Sequence, residues 1–591
     1  MDDQQSTRWI SEWMIKGHRR TITLIAALAL AAPAALAAAT WMLYGSACSD
    51  WWYADDAAHL WFVMRHDQIW QYFAVPEVSR AASAHLVPWV FMLYRLIYVC
   101  CGMEHPGTAY ALQLLSLFAV AWMTRVLLGL WVCTAWAWLG AFLFLLGAPV
   151  MHVAHELMTV NYVQGLFFAL IAAYGFVRAI RNLTWWPAVA GGFCYLLAVT
   201  AKEIYVPLPM LLLFLPENTW KQRGLKALPF LIVLTAYVPW RWFMLDTLVG
   251  GYQSQTSGPG IVPVCQALRH VPVMILGADG LGWGVMIAGL LGLMLLVGLS
   301  WRKIVFGLVG LCALLGPLVP LTQFPGLVSP GRYLFVVWWG MTAACVLVME
   351  RLSCGRHWRG HRWQGHRWLA WVALALWVAI SLAAGREMRR EQRQSQSWID
   401  SYETQGRFLW AAASDRIFLI RPPFHVARFV AAIKQKLAGA GSAPIVIDDQ
   451  ADLEIQTRLG LVAGAARSNA TVWAYNESGR RMEEITGEFR QQQAESPARV
   501  QESALRIDLQ FERQAMRWRF GPYEQGNYLM VRLAEGRIID RIHFLPEGQR
   551  DATGGGVFDF FLRYDSPEGW TTYSPVLRFD RQQGGVVWRR D

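Results

Sequence analysis

A series of long apolar segments fills the first two thirds of this chain and constrains its fold more than any other feature. A helix of about 20 apolar residues is long enough to cross the hydrocarbon core of a bilayer. Charged residues make up about 10% of residues 1–385, whereas a soluble domain carries about 25%. The pattern predicts a polytopic α-helical membrane protein, and it excludes a disordered chain, a collagen and a small disulfide scaffold.

Eleven segments are predicted to be transmembrane helices. They are residues 21–44, 107–130, 131–149, 160–178, 185–200, 203–216, 227–245, 272–299, 304–320, 333–349 and 368–385. The segments 185–200 and 203–216 are short, and we interpret them as two helices, with one broken helix as the alternative. The apolar segment 85–101 contains Pro88 and Arg95, which favours a helix that lies on the membrane surface. The first segment follows Arg19-Arg20 as in a signal peptide, but its length favours a retained anchor.

Basic residues are distributed unequally between the two sides of this arrangement. With the N-terminus inside, the inner stretches carry 17 basic and five acidic residues, and the outer stretches carry seven basic and ten acidic residues. Because loops rich in lysine and arginine stay in the cytoplasm, we expect a cytoplasmic N-terminus. The net charge of +11 is therefore chiefly an orientation signal and does not indicate a nucleic-acid partner.

The composition changes at Gly385, where soluble character begins. Residues 386–591 contain 29 basic and 27 acidic residues, so we predict a transmembrane domain over 1–385 and a periplasmic or extracellular domain over 386–591. A strand–helix–strand pattern indicates an α/β part over about 411–500, and alternating runs indicate an antiparallel, sandwich-like part over about 501–591. This tail could bind substrate, bind a partner or cap the membrane domain, and the sequence does not distinguish these roles.

Two adjacent carboxylates follow an aromatic run in the first outer loop. Asp55 and Asp56 open an amphipathic stretch, and neighbouring side chains at a helix start point about 100° apart. One of them can therefore face a pocket as a general base while the other caps the helix or holds its neighbour. Plain N-capping of a surface helix is the alternative.

The second outer loop carries His152, His155 and Glu156. Their spacing is loosely compatible with helical metal ligands, although no third or fourth ligand is marked. A carboxylate at the membrane surface is the more informative feature of this loop.

Two cations also fall on the outer face. Lys202 and Glu203 lie at the turn between two spans, and Arg332 and Tyr333 lie at the outer start of a late span. Lysine and arginine can hold a phosphate leaving group. The alternatives are a local ion pair between Lys202 and Glu203 and simple snorkelling of Arg332 to the interface.

The order, sides and spacing of these motifs resemble the GT-C class of polyprenyl-phosphate-sugar glycosyltransferases over roughly residues 20–350. The similarity is to the branch of protein O-mannosyltransferases and lipid A aminoarabinose transferases. The matching features are the Asp55-Asp56 motif, the interfacial helix Pro88-Trp-Val-Phe-Met-Leu-Tyr-Arg-Leu-Ile-Tyr, the loop Gly147-Ala-Pro-Val-Met-His-Val-Ala-His-Glu with Tyr162, the hairpin Lys202-Glu203 with Pro207 and Pro209, and Gly331-Arg332-Tyr333.

The resemblance implies a GT-C fold and an inverting transfer of a hexose or pentose from a polyprenyl phosphate to an envelope glycan, lipid or protein. Transfer would take place on the outer face of the cytoplasmic (inner) membrane. Asp55, or else Asp56, would serve as the base, and Glu156 would assist. The participation of a divalent Mg, Mn or Zn ion is left open. The residues that would hold the donor phosphate are Lys202, Arg332 and Tyr333, and further candidates for substrate or metal contacts are His59, His155, Tyr162 and Glu203.

Two other classes of function remain as alternatives. A transporter or flippase for a lipid-linked or anionic solute would be favoured by polar residues in mid-membrane, but the ionisable residues cluster at the span ends. A structural or assembly protein would use the soluble tail to bind a partner.

Overall fold

The structure is a computed structural model, and it describes most of the chain. The described residues are 31–53, 55–82, 85–215, 217–246, 330–353, 371–372, 374–375, 377–378, 399–413, 416–420, 426–439, 442–447, 470–495, 499–501, 503–512, 515–534, 537–551, 558–580 and 585–588. The predicted spans 272–299 and 304–320 lie outside these residues, and the predicted spans 21–44 and 368–385 are described only in part.

The first part of the chain is almost entirely helical. Its helices are α1 (including residues 31–44), α2 (Asp56–Arg65), α3 (Gln71–Ala74), α4 (Pro76–Ala82), α5 (Pro88–Cys101), α6 (Pro106–Leu128), α7 (Thr134–Leu145), α8 (Ala148–Ala154), α9 (Val160–Arg181), α10 (Trp186–Ala201), α11 (Leu208–Leu213), α12 (Trp220–Leu245) and α13 (Pro330–Ser353).

Four helices of the described chain are long and apolar enough to cross a membrane, namely α6, α9, α12 and α13. Helices α7 and α8 together form a fifth candidate, bent by 60°. Pro149 lies at the start of α8, where its fixed φ and missing N–H interrupt the helix that the sequence predicts over 131–149. The number of eleven spans is therefore not confirmed.

The segment 203–216 does not form the span predicted for it. It contains a 3-10 turn, Glu203–Tyr205, followed by the six-residue helix α11, which is only about 9 Å long. Pro207 and Pro209 account for this break, because proline cannot donate to the preceding turn. Helix α10, with 16 residues, precedes the turn, so the interpretation as two helices holds, although α11 alone is shorter than a membrane span.

Contacts among the helix ends separate into the two sets that the charge pattern predicts. At one end, Arg181 pairs with Glu217 at 2.6 Å, and the Glu350 carboxylate accepts the Cys133 N–H at 3.3 Å. At the other end, His155 contacts Asp50 at 2.8 Å. Arg181, Glu217 and Glu350 belong to stretches predicted to be inside, Asp50 and His155 belong to loops predicted to be outside, and Cys133 lies in the predicted span 131–149. The orientation itself stays a prediction.

Helix α5 packs beside α2 at the outer end of the bundle. Its buried face includes Phe91 and Tyr94, and the ring of Phe91 lies 4.6 Å from that of Phe62 on α2. With 14 residues, α5 is too short to span the bilayer, as expected for an interfacial helix. The start of α2, which follows the first outer loop, therefore packs against α5.

The tail begins with an α/β unit. A helix over residues 399–411, α14, leads into β1 (Arg416–Leu419), and the elements that follow are α15 (Ala427–Ala438), β2 (Ile445–Ile447), β3 (Thr471–Asn476), β4 (Arg481–Glu484) and α16 (Thr486–Glu495). The strand order is β2-β1-β3-β4, with the first three strands parallel. The predicted strand–helix–strand sequence is thus present.

The end of the chain is rich in β-structure. Its strands are β5 (Arg499–Val500), β6 (Arg506–Glu512), β7 (Ala515–Gly521), β8 (Asn527–Ala534), β9 (Arg537–Phe544), β10 (Glu547–Asp551), β11 (Phe558–Asp565), β12 (Trp570–Tyr573), β13 (Leu577–Asp580) and β14 (Gly585–Trp588). A three-stranded sheet, β10-β7-β6, faces a seven-stranded sheet across one apolar core that contains Leu509, Phe520, Phe560 and Leu577. Apart from the parallel pair β5–β12, the pairing is antiparallel, which gives the sandwich that the alternating pattern predicts.

The α/β unit and the first outer loop share one hydrophobic core. Leu60 and Val63 of α2 are fully buried together with Val430 and Ile433 of α15 and Phe418 of β1. This core is distinct from the one formed among the membrane helices. The soluble tail is therefore packed directly onto the loop that carries the acidic pair.

Candidate active site

The two carboxylates at the start of α2 have different environments. Asp56 is fully buried; the Tyr94 hydroxyl donates to its Oδ1 at 2.5 Å, and the Tyr53 N–H donates to its Oδ2 at 2.8 Å. Asp55 is exposed, and its side chain makes no capping hydrogen bond. The two carboxylates thus have different roles, as the sequence allows. Asp56 holds the loop through hydrogen bonds, and Asp55 is open to solvent. Plain N-capping by Asp55 is not observed.

Burial of Asp56 changes its ionisation. It raises the pKa of the carboxyl to about 7, although the hydrogen bonds from Tyr94 and Tyr53 lower it. The negative charges of Asp55 and Glu156 add to the rise, which places these carboxylates within electrostatic range of one another.

Three cations converge near this acidic pair. Lys202 follows the last turn of α10, Arg241 lies near the end of α12, and Arg332 lies in the first turn of α13. Burial, then the charges of Arg332 and Arg241, lower the pKa of Lys202 to about 7. Cations held this close together in a partly dehydrated place form a site for an anion.

Lys202 has no carboxylate partner among the described residues. Its contact is with an aromatic ring: the Lys202 Nζ lies 5.1 Å from the ring centroid of Tyr162, which is a cation–π contact. Tyr162 is itself fixed, because its backbone carbonyl accepts from the Tyr205 hydroxyl at 2.5 Å. The alternative of a local ion pair between Lys202 and Glu203 is not observed among the described residues.

Glu203 instead connects residues from three segments around the site. It pairs with Arg241, its Oε1 accepts the Leu86 N–H at 2.8 Å, and its Oε2 lies 3.5 Å from Nδ1 of His85. These contacts tie the start of α5 to the end of α12. Glu203 therefore holds Arg241 in place.

Sequence reasoning singled out neither Arg241 nor His85. The positive charge of Lys202, then burial and the charges of Arg241 and Arg332, lower the pKa of His85 to about 2, so its imidazole is neutral at physiological pH. Arg241 could have been found, because a cation at the outer end of a span departs from the positive-inside bias. His85 has no comparable local signal.

The second outer loop places its two histidines on different carboxylates. His152 Nε2 lies 3.0 Å from Glu156 Oε1, whereas His155 Nδ1 lies 2.8 Å from Asp50 Oδ2. In the part of the chain that the structure describes, no three His, Cys, Asp or Glu side chains come together as metal ligands. These residues therefore do not fit the metal site considered from their spacing.

Glu156 faces one of the cations. It is 9% exposed, and its Oε2 lies 4.0 Å from Nη1 of Arg332. Burial raises the pKa of Glu156, but His152 and Arg332 together lower it further, so the net shift is downward. Glu156 is thus an ionised carboxylate that orients Arg332.

His59 lies one turn along α2 from Asp55, against Phe91 and Tyr94 at ring distances of 5.6 and 5.0 Å. Its Nδ1 is buried, with no hydrogen-bond partner among the described residues. Burial and Lys202 lower its pKa, and Asp55 raises it. His59 is therefore within electrostatic range of both the Asp55 carboxylate and the Lys202 ammonium.

Tyr333 follows Arg332 in the first turn of α13, and its side chain lies outside the described part of the structure. Its predicted contact with the donor stays a prediction.

The arrangement combines an open carboxylate with a cluster of cations at one end of the helical bundle. An ionised Asp55 can accept a proton from a hydroxyl group. The cluster of Lys202, Arg241 and Arg332 can stabilise negative charge that develops on a departing phosphate. The site is assembled from the first outer loop and the outer ends of three membrane-side segments.

No protein-family model matches the chain, and no curated protein sequence matches it. Among solved structures, the chain is similar to the crystal structure of ArnT from Cupriavidus metallidurans in the apo state, with 14% sequence identity and a TM-score of 0.41. The alignment covers 78% of this chain and 94% of that chain. A likeness at this level carries no conclusion about the reaction, which has to be argued from the site.

Proposed function

We propose that this protein is a membrane glycosyltransferase of the GT-C class. It transfers a sugar from a polyprenyl phosphate to a hydroxyl group of an envelope glycan, lipid or protein on the outer face of the cytoplasmic membrane. The observation that carries the proposal is the exposed Asp55 together with the cluster of Lys202, Arg241 and Arg332, since His59 is within electrostatic range of both Asp55 and Lys202. The resemblance of the outer-loop motifs to that class supports the same assignment.

In the proposed reaction, Asp55 accepts the proton of the acceptor hydroxyl as the oxygen attacks the anomeric carbon of the donor sugar. The bond between the anomeric carbon and the phosphate oxygen breaks, and its electron pair leaves with the polyprenyl phosphate. A single displacement of this kind inverts the anomeric centre.

The cations act on the leaving group. Lys202, Arg241 and Arg332 offset the negative charge that grows on the phosphate oxygen, which lowers the barrier if their positions are fixed before the reaction. Glu156, which is itself paired with His152, holds Arg332, and Glu203 holds Arg241. In this proposal Asp56 keeps the loop in place through Tyr53 and Tyr94, and the base is Asp55.

The direct test compares Asp55→Asn with Asp56→Asn in purified protein reconstituted into bilayers with a panel of polyprenyl-phosphate sugars and envelope extracts. We expect Asp55→Asn to lose about 10²- to 10⁴-fold in transfer rate, which is the range for removal of a general base, with membrane insertion intact. Asp56→Asn should act mainly on stability. Full activity in both variants would contradict the proposal.

The same preparation distinguishes the other classes of function. Ion-coupled flux of a solute across the bilayer, without release of polyprenyl phosphate, would favour a transporter. Comparison of envelope glycans with and without the protein would identify the sugar and the acceptor.

A further inference from the structure

The soluble tail holds the first outer loop on both sides of the acidic pair. Helix α14 contacts residues 49–53, which precede Asp55, and helix α15 contacts α2, which follows it. These contacts join parts of the chain that are more than 350 residues apart.

The contact before the acidic pair depends on a glycine. A Cβ atom at Gly406 of α14 would lie 2.1 Å from Cζ3 of Trp51. The helix and the Trp51 indole can therefore approach this closely only because residue 406 has no side chain. The neighbouring rings of Tyr402 and Tyr53 lie 5.0 Å apart, and the Arg407 Nη2 donates to the Ser49 carbonyl at 3.3 Å. The backbone that leads into the acidic pair is therefore fixed by α14.

The contact after the acidic pair joins two helices. Val430 and Ile433 of α15 are buried against Leu60 and Val63 of α2. The Lys436 ammonium donates to the Met64 carbonyl at 2.8 Å, near the last turn of α2. A cation in that position satisfies a terminal carbonyl and interacts favourably with the helix dipole.

Asp55 lies between these two contacts, and its own side chain makes no capping hydrogen bond. Its location thus depends on the backbone before and after it. A displacement of about 1 Å in a reacting group can cost about 10²-fold in rate.

We infer that the α/β part of the tail is a positioning element that sets the place of Asp55, in addition to being an outer domain. This inference rests on the proposed function, because it assigns the positioned residue a part in transfer. Gly406 and Lys436 are positioning residues, and neither touches the substrate.

The first test is Gly406→Ala in the full chain, with Gly487→Ala as the matched control. Gly487 is also a helical glycine of the tail, and a Cβ there meets no atom within 4 Å. We expect Gly406→Ala to lower kcat by about tenfold or more and to leave the KM for the lipid donor within about twofold, because the cations lie on other elements. We also expect faster amide hydrogen exchange in residues 49–65. The control should match the wild type in all three measurements.

A second pair of variants tests the inference if Gly406→Ala fails to fold. Lys436→Met removes the charge at the end of α2, and Lys436→Arg keeps it. We expect a lower kcat and faster exchange in α2 for the methionine variant, with recovery of both in the arginine variant. Unchanged kcat and exchange in Lys436→Met, or in a folded Gly406→Ala, would overturn the inference.

Failure of the proposed function gives a different result. The wild-type protein would then release no polyprenyl phosphate from any donor, whereas the exchange measurements would still show whether the tail holds residues 49–65. Loss of donor binding in Gly406→Ala would also count against the inference, because the tail contacts described above do not reach the cationic cluster.

Discussion

Removal of the Lys202 charge should stabilise the protein while it weakens donor binding. Burial and the charges of Arg332 and Arg241 lower the pKa of Lys202 from 10.5 to about 7. At about 1.4 kcal/mol per pKa unit, this environment costs the protonated lysine about 5 kcal/mol. A residue that costs this much in the free protein is expected at a functional site, where a bound anion offsets the cost.

The perturbation is Lys202→Met, which keeps an unbranched apolar side chain against Tyr162. If even a third of the cost is recovered, the free energy of unfolding rises by about 1–2 kcal/mol and the melting temperature rises by a few degrees. Donor affinity should fall by about 10- to 100-fold, as expected for a lost charge-assisted hydrogen bond worth about 1.5–3 kcal/mol.

The pH dependence provides a second measure. Because the pKa is lowered, Lys202 is charged below about pH 7 and neutral above it. Wild-type affinity for a polyprenyl phosphate should therefore be highest below pH 7 and should fall as the pH rises through that value. The sign for stability is the opposite: the unfolded state holds the proton up to about pH 10.4, so Lys202 destabilises the unliganded fold most at low pH, and this cost fades between pH 7 and 10.

The assay is thermal unfolding together with titration of a polyprenyl phosphate into detergent-solubilised protein, from pH 6 to pH 9. Lys202→Arg keeps its charge over this range and should remove the pH dependence of binding. The exposed Lys221, at the other end of the bundle, supplies the control variant Lys221→Met. A Lys202→Met protein that is less stable and binds the lipid as the wild type does would refute the reasoning.

Three further predictions concern the neighbours of these residues. Tyr94→Phe should lower the free energy of unfolding by about 1–3 kcal/mol, since it removes the donor to Oδ1 of the buried Asp56; a melting temperature equal to that of the wild type would contradict this. Arg241→Gln should weaken donor binding and move its alkaline limit to higher pH, because Arg241 is one of the charges that lower the pKa of Lys202; an unmoved limit in the binding titration would count against it. Tyr162→Ala should weaken donor binding by about 2- to 30-fold, the range of a cation–π contact worth about 0.5–2 kcal/mol, whereas Tyr162→Phe, which keeps the ring, should bind as the wild type does.

The predicted apolar segments correspond to single helices of the structure where a segment is both long and unbroken. The spans predicted at 107–130, 160–178 and 227–245 correspond to α6, α9 and α12. The prediction failed at 203–216, because average hydropathy does not register how two nearby prolines shorten a helix.

The sequence predicts only some of the residues that the structure brings together in the candidate site. Asp55, Asp56, Lys202 and Arg332 were selected because charged groups at a membrane face need a reason. The structure brings Lys202 and Arg332 together with Arg241. The sequence does not single out Arg241, because this residue lies within the predicted apolar span 227–245. The structure pairs His152 and His155 with different carboxylates, although their spacing is loosely compatible with two ligands of one metal ion.

The sequence by itself determined which segments are apolar, where soluble character begins and which face holds the rare outer charges, because these properties follow from local composition. Only the tertiary structure decided that Asp56 is buried and Asp55 exposed, because that choice depends on Tyr94, 38 residues further along the chain. In the same way, the docking of Gly406 on Trp51 joins distant parts of the chain. Such contacts depend on shape complementarity between elements, and no periodicity within either element encodes it.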